Sequence, residues 1–216
     1  MMEVIQYIQI NWLEILQLTR EHTLLVIASV GMATLFGVPI GILIARYKVL
    51  TEAVLMVASF FLTIPSVALF GLMIPILSRL GLGVGYAPAV SAVFLYALLP
   101  VLRNTCIALQ NLDPAIQESA RGIGMTRWQR LSMVSLPISC PLILSGIRTA
   151  VVMNIGVMAI AAIVGAGGLG SLIMEGVNQN SFPKILSGSI AICLLALITD
   201  YLLGRLQVIL TPVGIR

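Results

Sequence analysis

NLDPAIQESARGIGMTRWQRLSMVSLP, residues 111–137, is the longest polar and charged stretch of this chain, and very apolar segments flank it on both sides. Asp113 and Pro114 predict a helix start, because Asp accepts hydrogen bonds from free helix amides and Pro is tolerated at the first helical position. Gly122 and Gly124 then allow a turn that residues with a β-carbon would resist. The first half of the stretch therefore predicts a short helix followed by a turn.

The second half of the stretch predicts another helix. Thr126 can cap this helix, Trp128 falls within it, and Leu136 and Pro137 end it. Two short helices joined by a turn would form an elbow with an exposed polar face and an anchoring apolar face. An ordinary solvated loop would have the same composition.

A spaced motif runs through this stretch: Glu118-Ser119-Ala120, three residues, Gly124, nine residues, Val134, one residue, then Leu136-Pro137. It resembles the EAA motif of the permease subunits of ATP-binding-cassette (ABC) importers, EAA-x3-G-x9-I-x-LP, and departs from that motif only at Ser119 and Val134. The chain is also similar to permeases for glycine betaine, carnitine and choline in the segments LTREHTLLV (18–26) and GAGGLGSLI (165–173).

This resemblance implies a type I ABC importer permease, in which the elbow is the coupling helix that docks on a cytoplasmic ATPase. It also implies the partners: a dimer of ATPase subunits, a second permease copy or paralogue, and an extracytoplasmic substrate-binding protein. ATP and Mg would be bound by the ATPase, while this chain would bind no cofactor and carry no catalytic residue. The coupling interface would comprise Asp113, Glu118, Ser119, Ala120, Gly124, Arg127, Trp128, Val134, Leu136 and Pro137.

Composition predicts an all-α membrane protein. Hydrophobic residues make up 59% of the chain and charged residues 9%, and the mean hydropathy is +1.09, which excludes an ordinary soluble domain. We expect one transmembrane permease domain over residues 1–216. No G-x-x-x-x-G-K-[ST] motif occurs, so ATP hydrolysis is expected on another chain. The basic residues form no cluster typical of nucleic-acid binding, and the scattered cysteines predict no metal site.

Five membrane crossings follow from the apolar runs. Residues 1–21 alternate polar and apolar groups near helical spacing, which predicts an amphipathic helix lying in the membrane interface. The crossings themselves are predicted at 24–45, 53–78, 89–107, 141–164 and 185–209, with an interruption at residues 63–65. An odd number of crossings places the two termini on opposite sides of the bilayer.

The basic residues indicate the orientation. Most of the 12 Lys and Arg residues fall on one side if the N-terminus lies outside and the C-terminus lies in the cytoplasm. The residues on that inner side are Arg46, Lys48, Arg103, Arg121, Arg127, Arg130, Arg148, Arg205 and Arg216. This places the elbow in the cytoplasm and predicts a multi-pass protein of the bacterial inner membrane, with the lipid bilayer itself as a partner.

Polar groups within the crossings are candidates for function. Arg148 and Asp200 fall at one depth, so they form either an ion pair or two separate side chains that snorkel to the interface. Pro65 and Pro100 interrupt crossing helices, and Asn154 is the amide within the fourth crossing. All three could line a substrate path, but helix packing and a hydrogen bond between helices explain them equally well.

Two further features lie at the predicted outer side. His22, the single histidine, falls in a polar joint and is expected to be interfacial. The glycines of residues 165–170 match G-x-G-x-x-G, but no soluble strand precedes them and no acidic residue follows at the required distance, so a nucleotide site is rejected. By the family resemblance, this is a glycine-rich turn, followed by a loop whose Glu175, Asn178 and Gln179 face the binding protein.

The sequence favours an ABC importer permease for quaternary-ammonium osmoprotectants that works by alternating access. A permease for amino acids such as methionine is an alternative with the same plan. A stand-alone secondary carrier would need no docking elbow and would usually show inverted repeats or buried coupling acids, which we do not find. An intramembrane serine protease is excluded, because no predicted crossing contains the histidine of its dyad.

Overall fold

The computed structural model describes residues 2–211, and every regular element in that range is helical. A π-helical turn, Arg130–Ser135, joins α7 to α8, and a 3-10 turn, Ala161–Val164, follows α8. The helices are α1 (Met2–Ile10), α2 (Trp12–Ile44), α3 (Lys48–Thr63), α4 (Ser66–Ser78), α5 (Tyr86–Gln110), α6 (Pro114–Gly122), α7 (Arg127–Gln129), α8 (Leu136–Ile160), α9 (Leu169–Asn178) and α10 (Phe182–Leu210).

Within residues 2–211, four segments are long and apolar enough to cross a membrane as single helices: α2, α5, α10 and the rod Arg127–Val164. Together, α3 and α4 are also long and apolar enough to cross a membrane, and the two helices bend by 101° at the break between them. The predicted interruption at residues 63–65 is therefore confirmed. The hydroxyl of Tyr96 on α5 donates to the carbonyl of Ile64 at 2.6 Å, so a carbonyl in the break has a partner there.

The N-terminal segment is divided differently from the prediction. The separate helix is only Met2–Ile10, and Trp12 already begins α2, so the predicted segment at residues 1–21 is divided between two helices. Its location in the membrane interface stays a prediction. No Pro or Gly follows Asn11 until well inside α2, which lets the helix continue through the first crossing. Asn11 marks the break, where its side-chain amide donates back to the carbonyl of Tyr7 at 3.0 Å.

The core is formed by α2, α5 and α8, which pack side by side. Small residues let these helices approach closely: a β-carbon on Gly41 would lie 2.8 Å from Thr105, and one on Gly146 would lie 2.8 Å from the carbonyl oxygen of Pro100. Close approach at small residues is the usual packing of membrane helices, where the hydrophobic effect contributes little between helices. The elbow leaves this core at the end of α5 and returns to it in α8.

Candidate functional site: the elbow and its surroundings

The first arm of the elbow forms through local caps. Asp113 Oδ1 accepts a hydrogen bond from the amide of Ala115 at 2.8 Å, which confirms the predicted helix start. At the other end, the amide of Gly124 donates to Arg121 and the amide of Met125 donates to Ala120, the paired bonds of a Schellman motif. Gly124 has φ of +81°, a conformation that a β-carbon disfavours, so this spacing requires glycine.

The second arm begins as predicted and ends differently. Thr126 and Gln129 form a capping box, in which each side chain accepts from the other residue's backbone amide. The expectation that Leu136 and Pro137 end this arm is wrong, because the chain continues through the π-helical turn directly into α8. Pro137 falls in the first turn of α8, where its missing N–H is best tolerated.

The elbow is tied to the membrane core by a few side chains. Gln117 on α6 donates to the hydroxyl of Ser135 at 3.0 Å, which joins the two arms. Ser139 on α8 donates to the carbonyl of Ala108 on α5 at 3.0 Å. Ala120, the third position of the spaced motif, is buried at 4% exposure. The elbow is therefore a fixed projection of the core and not a solvated loop.

The outer face of the elbow is more apolar than the sequence predicts. Glu118 and Ser119 are exposed, as expected, but Ile123 is 75% exposed and Trp128 is 73% exposed. Large apolar side chains on a polar projection are typical of a protein interface. Val134, Leu136 and Pro137 are half-buried, and Arg127 is exposed and lines a cavity on the inner side of the elbow.

The candidate path residues lie in different environments. Pro65 is exposed at the break before α4, and Pro100 is half-buried within α5. Asn154 is fully buried, and its amide donates to Ala150 of its own helix at 2.8 Å and not to another helix. Asn154 Oδ1 is one of the buried polar atoms without a partner in the described part of the chain. A role of these residues in the substrate path stays a prediction.

Arg148 and Asp200 form an ion pair between α8 and α10. Arg148 Nε lies 2.5 Å from Asp200 Oδ1 and Arg148 Nη2 lies 2.6 Å from Oδ2, a bidentate geometry. Of the two alternatives, the pair is thus confirmed over two separately snorkelling side chains. Gly204 makes room for the guanidinium, since a β-carbon there would lie 3.0 Å from Nη1. The pair is 36% and 39% exposed and borders a cavity of about 430 Å³.

The glycine-rich turn is followed by a helix and not by the predicted loop. Gly165, Gly167 and Gly168 all have positive φ, and α9 then begins at Leu169. Glu175, Asn178 and Gln179 are exposed at the far end of α9 and at the turn after it. Glu175 contacts the ammonium group of Lys184, which lowers the pKa of Glu175, and it also accepts from Gln179 at 3.0 Å.

His22 is the residue that sequence reasoning placed wrongly. It lies within α2 and not in a polar joint, and it is fully buried, with its Nε2 3.0 Å from the carbonyl oxygen of Ile155 on α8. Its interfacial depth stays a prediction. Because a carbonyl only accepts, Nε2 must carry the hydrogen. Nδ1 packs against Gly168, and a β-carbon added at Gly168 would lie 3.2 Å from Nδ1. His22 thus joins the first crossing to the fourth and to the glycine-rich turn.

Replacing His22 with Leu is expected to lower the free energy of unfolding by about 1–3 kcal/mol, because a buried hydrogen bond to a backbone carbonyl is lost. Thermal unfolding of the purified full-length protein in detergent measures this change. His22→Gln, which keeps a donor, is the matched control and should retain more of the stability. Equal melting of wild type and both variants would contradict a structural role for the bond to Ile155.

Comparison with known proteins assigns the family. Residues 37–212 match the family described as binding-protein-dependent transport system inner membrane component. The chain belongs to this family. It is therefore a permease, a multi-pass membrane subunit of a transport system.

Relatives that match almost the whole permease are themselves named as permease proteins. It is 55% identical over 215 residues to the osmoprotectant import permease protein OsmW of Salmonella typhimurium, covering 100% of both chains. It is 39% identical to the carnitine transport permease protein OpuCB of Listeria monocytogenes, covering 99% of this chain and 95% of that one. The choline transport system permease protein OpuBB of Bacillus subtilis is 35% identical, with 100% and 97% covered.

Solved structures confirm the fold of the permease. An inward-facing structure of the MetNI methionine ABC transporter superposes with a TM-score of 0.80 at 23% identity, covering 94% of this chain and 99% of that one. An amino acid ABC transporter superposes with a TM-score of 0.72 at 18% identity, covering 95% and 96%. The type I importer fold predicted from the spaced motif is confirmed.

Proposed function

We propose that this permease is the membrane subunit of an ATP-driven ABC importer for quaternary-ammonium osmoprotectants such as glycine betaine, carnitine or choline. The observation that carries the proposal is the 55% identity to an osmoprotectant import permease over the full length of both chains. Relatives named for carnitine and choline support the same substrate class. The solved methionine transporter is only 23% identical, so its substrate carries no weight for this chain.

The elbow is the surface on which the proposal places the ATPase. Its exposed face combines Glu118 with the apolar side chains of Ile123 and Trp128, and the caps at Asp113 and Thr126 hold that face in one shape. A large aromatic side chain on a preorganised projection is a typical anchor of an interface. Two ATPase subunits and a second permease copy or paralogue would complete the membrane complex, with ATP and Mg bound by the ATPases.

The opposite end of the permease would receive the substrate. Glu175, Asn178 and Gln179 are exposed near the α9–α10 turn, where a binding protein could deliver its ligand. The asymmetry of the basic residues supports an outer location for this end, with the N-terminus outside and the C-terminus in the cytoplasm. In alternating access, ATP and the loaded binding protein must each favour the outward-open state, since a ligand shifts an equilibrium only through differential affinity.

Co-purification tests the coupling role of the elbow. We expect the ATPase to accompany the wild-type permease in gentle detergent, and its recovery to fall about tenfold with Glu118→Ala, Gly124→Asp, because a 1.4 kcal/mol loss at an interface has that effect. Gly122→Ala is the matched control. Gly122 is the last residue of α6 and does not have a positive φ, and among the described residues no atom lies within 4 Å of an added β-carbon. The same samples identify the second permease chain by mass spectrometry.

Transport by the reconstituted complex tests the substrate class. Uptake of labelled glycine betaine, carnitine or choline should require ATP and the binding protein, and labelled methionine should not be imported. Import of methionine alone would replace the proposed substrate class with the alternative. Transport by the permease in liposomes without ATP or partners would instead identify a secondary carrier.

A further inference from the structure

A cavity of about 760 Å³ lies between the end of α2 and the inner side of the elbow. Arg46 and Tyr47, directly after α2, form one wall, and side chains of the elbow form the other. The walls are fixed by hydrogen bonds: Gln110 donates to the carbonyl of Ala45 at 3.1 Å, and Gln117 donates to Ser135 at 3.0 Å. The cavity is therefore a built feature of the junction between membrane and elbow.

Positive charge is concentrated in this cavity. Arg46, Arg121, Arg127 and Arg130 all line it, and among residues 2–211 no carboxylate does. The salt bridges of the described residues, Arg148 with Asp200 and Lys184 with Glu175, involve none of these arginines. Four arginines around one cavity concentrate positive charge there, so an anion in the cavity would be favoured.

The type of anion follows from the guanidinium groups and from the remaining walls. Guanidinium groups bind phosphate oxygens in a bidentate manner, and arginine is enriched where that geometry matters. Ile42, Leu109 and Leu112 make part of the lining apolar. The cavity also borders the end of α2, the first membrane-crossing helix, and with the elbow in the cytoplasm this helix end would face the inner headgroup layer. A charged pole beside an apolar wall fits an amphiphile better than a free ion.

We propose that this cavity binds the phosphate-bearing headgroup of an anionic phospholipid, with the arginines on the phosphate and the apolar wall along the start of an acyl chain. An acidic segment of an ATPase subunit is the competing occupant. It is disfavoured because the apolar side chains that suit protein docking, Ile123 and Trp128, do not line the cavity. Of the residues predicted for the coupling interface only Arg127 lines this cavity, and the proposal does not depend on the transported substrate.

Native mass spectrometry of the full-length permease tests the site, with phosphatidylglycerol titrated against phosphatidylcholine and against inorganic phosphate. Wild type should bind phosphatidylglycerol, whereas Arg46→Gln, Arg130→Gln should bind it at least about tenfold more weakly, because charge-assisted bonds to phosphate are lost. Arg103→Gln is the matched control, since Arg103 is exposed in the last third of α5 but does not line the cavity. Arg46→Lys, Arg130→Lys keeps the charge and should retain most of the binding.

Each arm of this experiment supports or overturns the site. Weaker lipid binding in the Gln variant alone supports it, and the Lys variant separates loss of charge from loss of folding. Equal binding of phosphatidylglycerol by wild type and the Gln variant overturns it. Inorganic phosphate that competes as well as the lipid would assign the cavity to a soluble anion. Lipid binding that is displaced when the ATPase is added would assign it to the partner protein.

Discussion

Replacing Gly170 with alanine is expected to lower the free energy of unfolding by about 1–3 kcal/mol or more, the usual cost of forcing atoms into a packed interior. Gly170 is buried at the start of α9, and a β-carbon there would lie 2.0 Å from the carbonyl oxygen of Ala159. The other nearest atoms are also backbone atoms of Ala159, so no flexible side chain can move aside. Either α9 must move away from α8, or the end of α8 must distort.

Thermal unfolding of the full-length permease in detergent measures this effect, with an expected decrease in melting temperature of several degrees. Gly156→Ala is the matched control on α8, because no atom of the described residues lies within 4 Å of its added β-carbon. That change should be neutral or stabilising, since alanine favours helix more than glycine does. If Gly170→Ala had the same melting temperature as wild type and Gly156→Ala, the close contact between α9 and α8 would be disproved.

Breaking the ion pair between Arg148 and Asp200 is expected to lower both the amount of permease in the membrane and its transport several-fold. Removing either partner leaves an uncompensated charge within a membrane-crossing helix, which is costly. A modest loss of stability is enough to change the abundance of a protein in the cell by that factor. Quantified membrane levels and uptake of labelled substrate measure the two effects separately for Arg148→Leu and Asp200→Leu.

Two double variants distinguish folding from transport. The charge swap Arg148→Asp, Asp200→Arg should restore part of both quantities, because the attraction between α8 and α10 returns. The neutral pair Arg148→Leu, Asp200→Leu should restore the membrane level, since replacing both partners by apolar residues is often neutral. Wild-type levels and uptake in both single variants would show that the two charges do not depend on each other.

Local chemistry in the sequence predicted the elbow well. Asp113, Gly124 and Thr126 each act within a few residues of themselves, through an N-cap, a Schellman turn and a capping box. Such signals can be read from sequence because they need no distant partner. The ion pair was also within reach, because Arg148 and Asp200 could be placed at one depth by counting residues along two crossing helices.

Features that depend on distant contacts were not predictable in this way. His22 is buried because Ile155 and Gly168, which are distant in the sequence, pack against it. The arginine-lined cavity needs Arg46 and the elbow to converge, and no spacing in the sequence shows that convergence. The end of the second arm was missed because Pro137 suits the first turn of a new helix as well as the end of an old one.

The single rod from Arg127 to Val164 has a mechanical consequence. At 1.5 Å per residue its 38 residues extend about 57 Å, so one element runs from the elbow to the glycine-rich turn at the other end of the permease. A displacement of Trp128 would tilt the rod about its contacts with α2 and α5. The end at Val164 would then move in the opposite direction. The π-helical turn at residues 130–135 is then a place where this element would bend, because it interrupts the α-helical hydrogen-bond pattern close to the elbow.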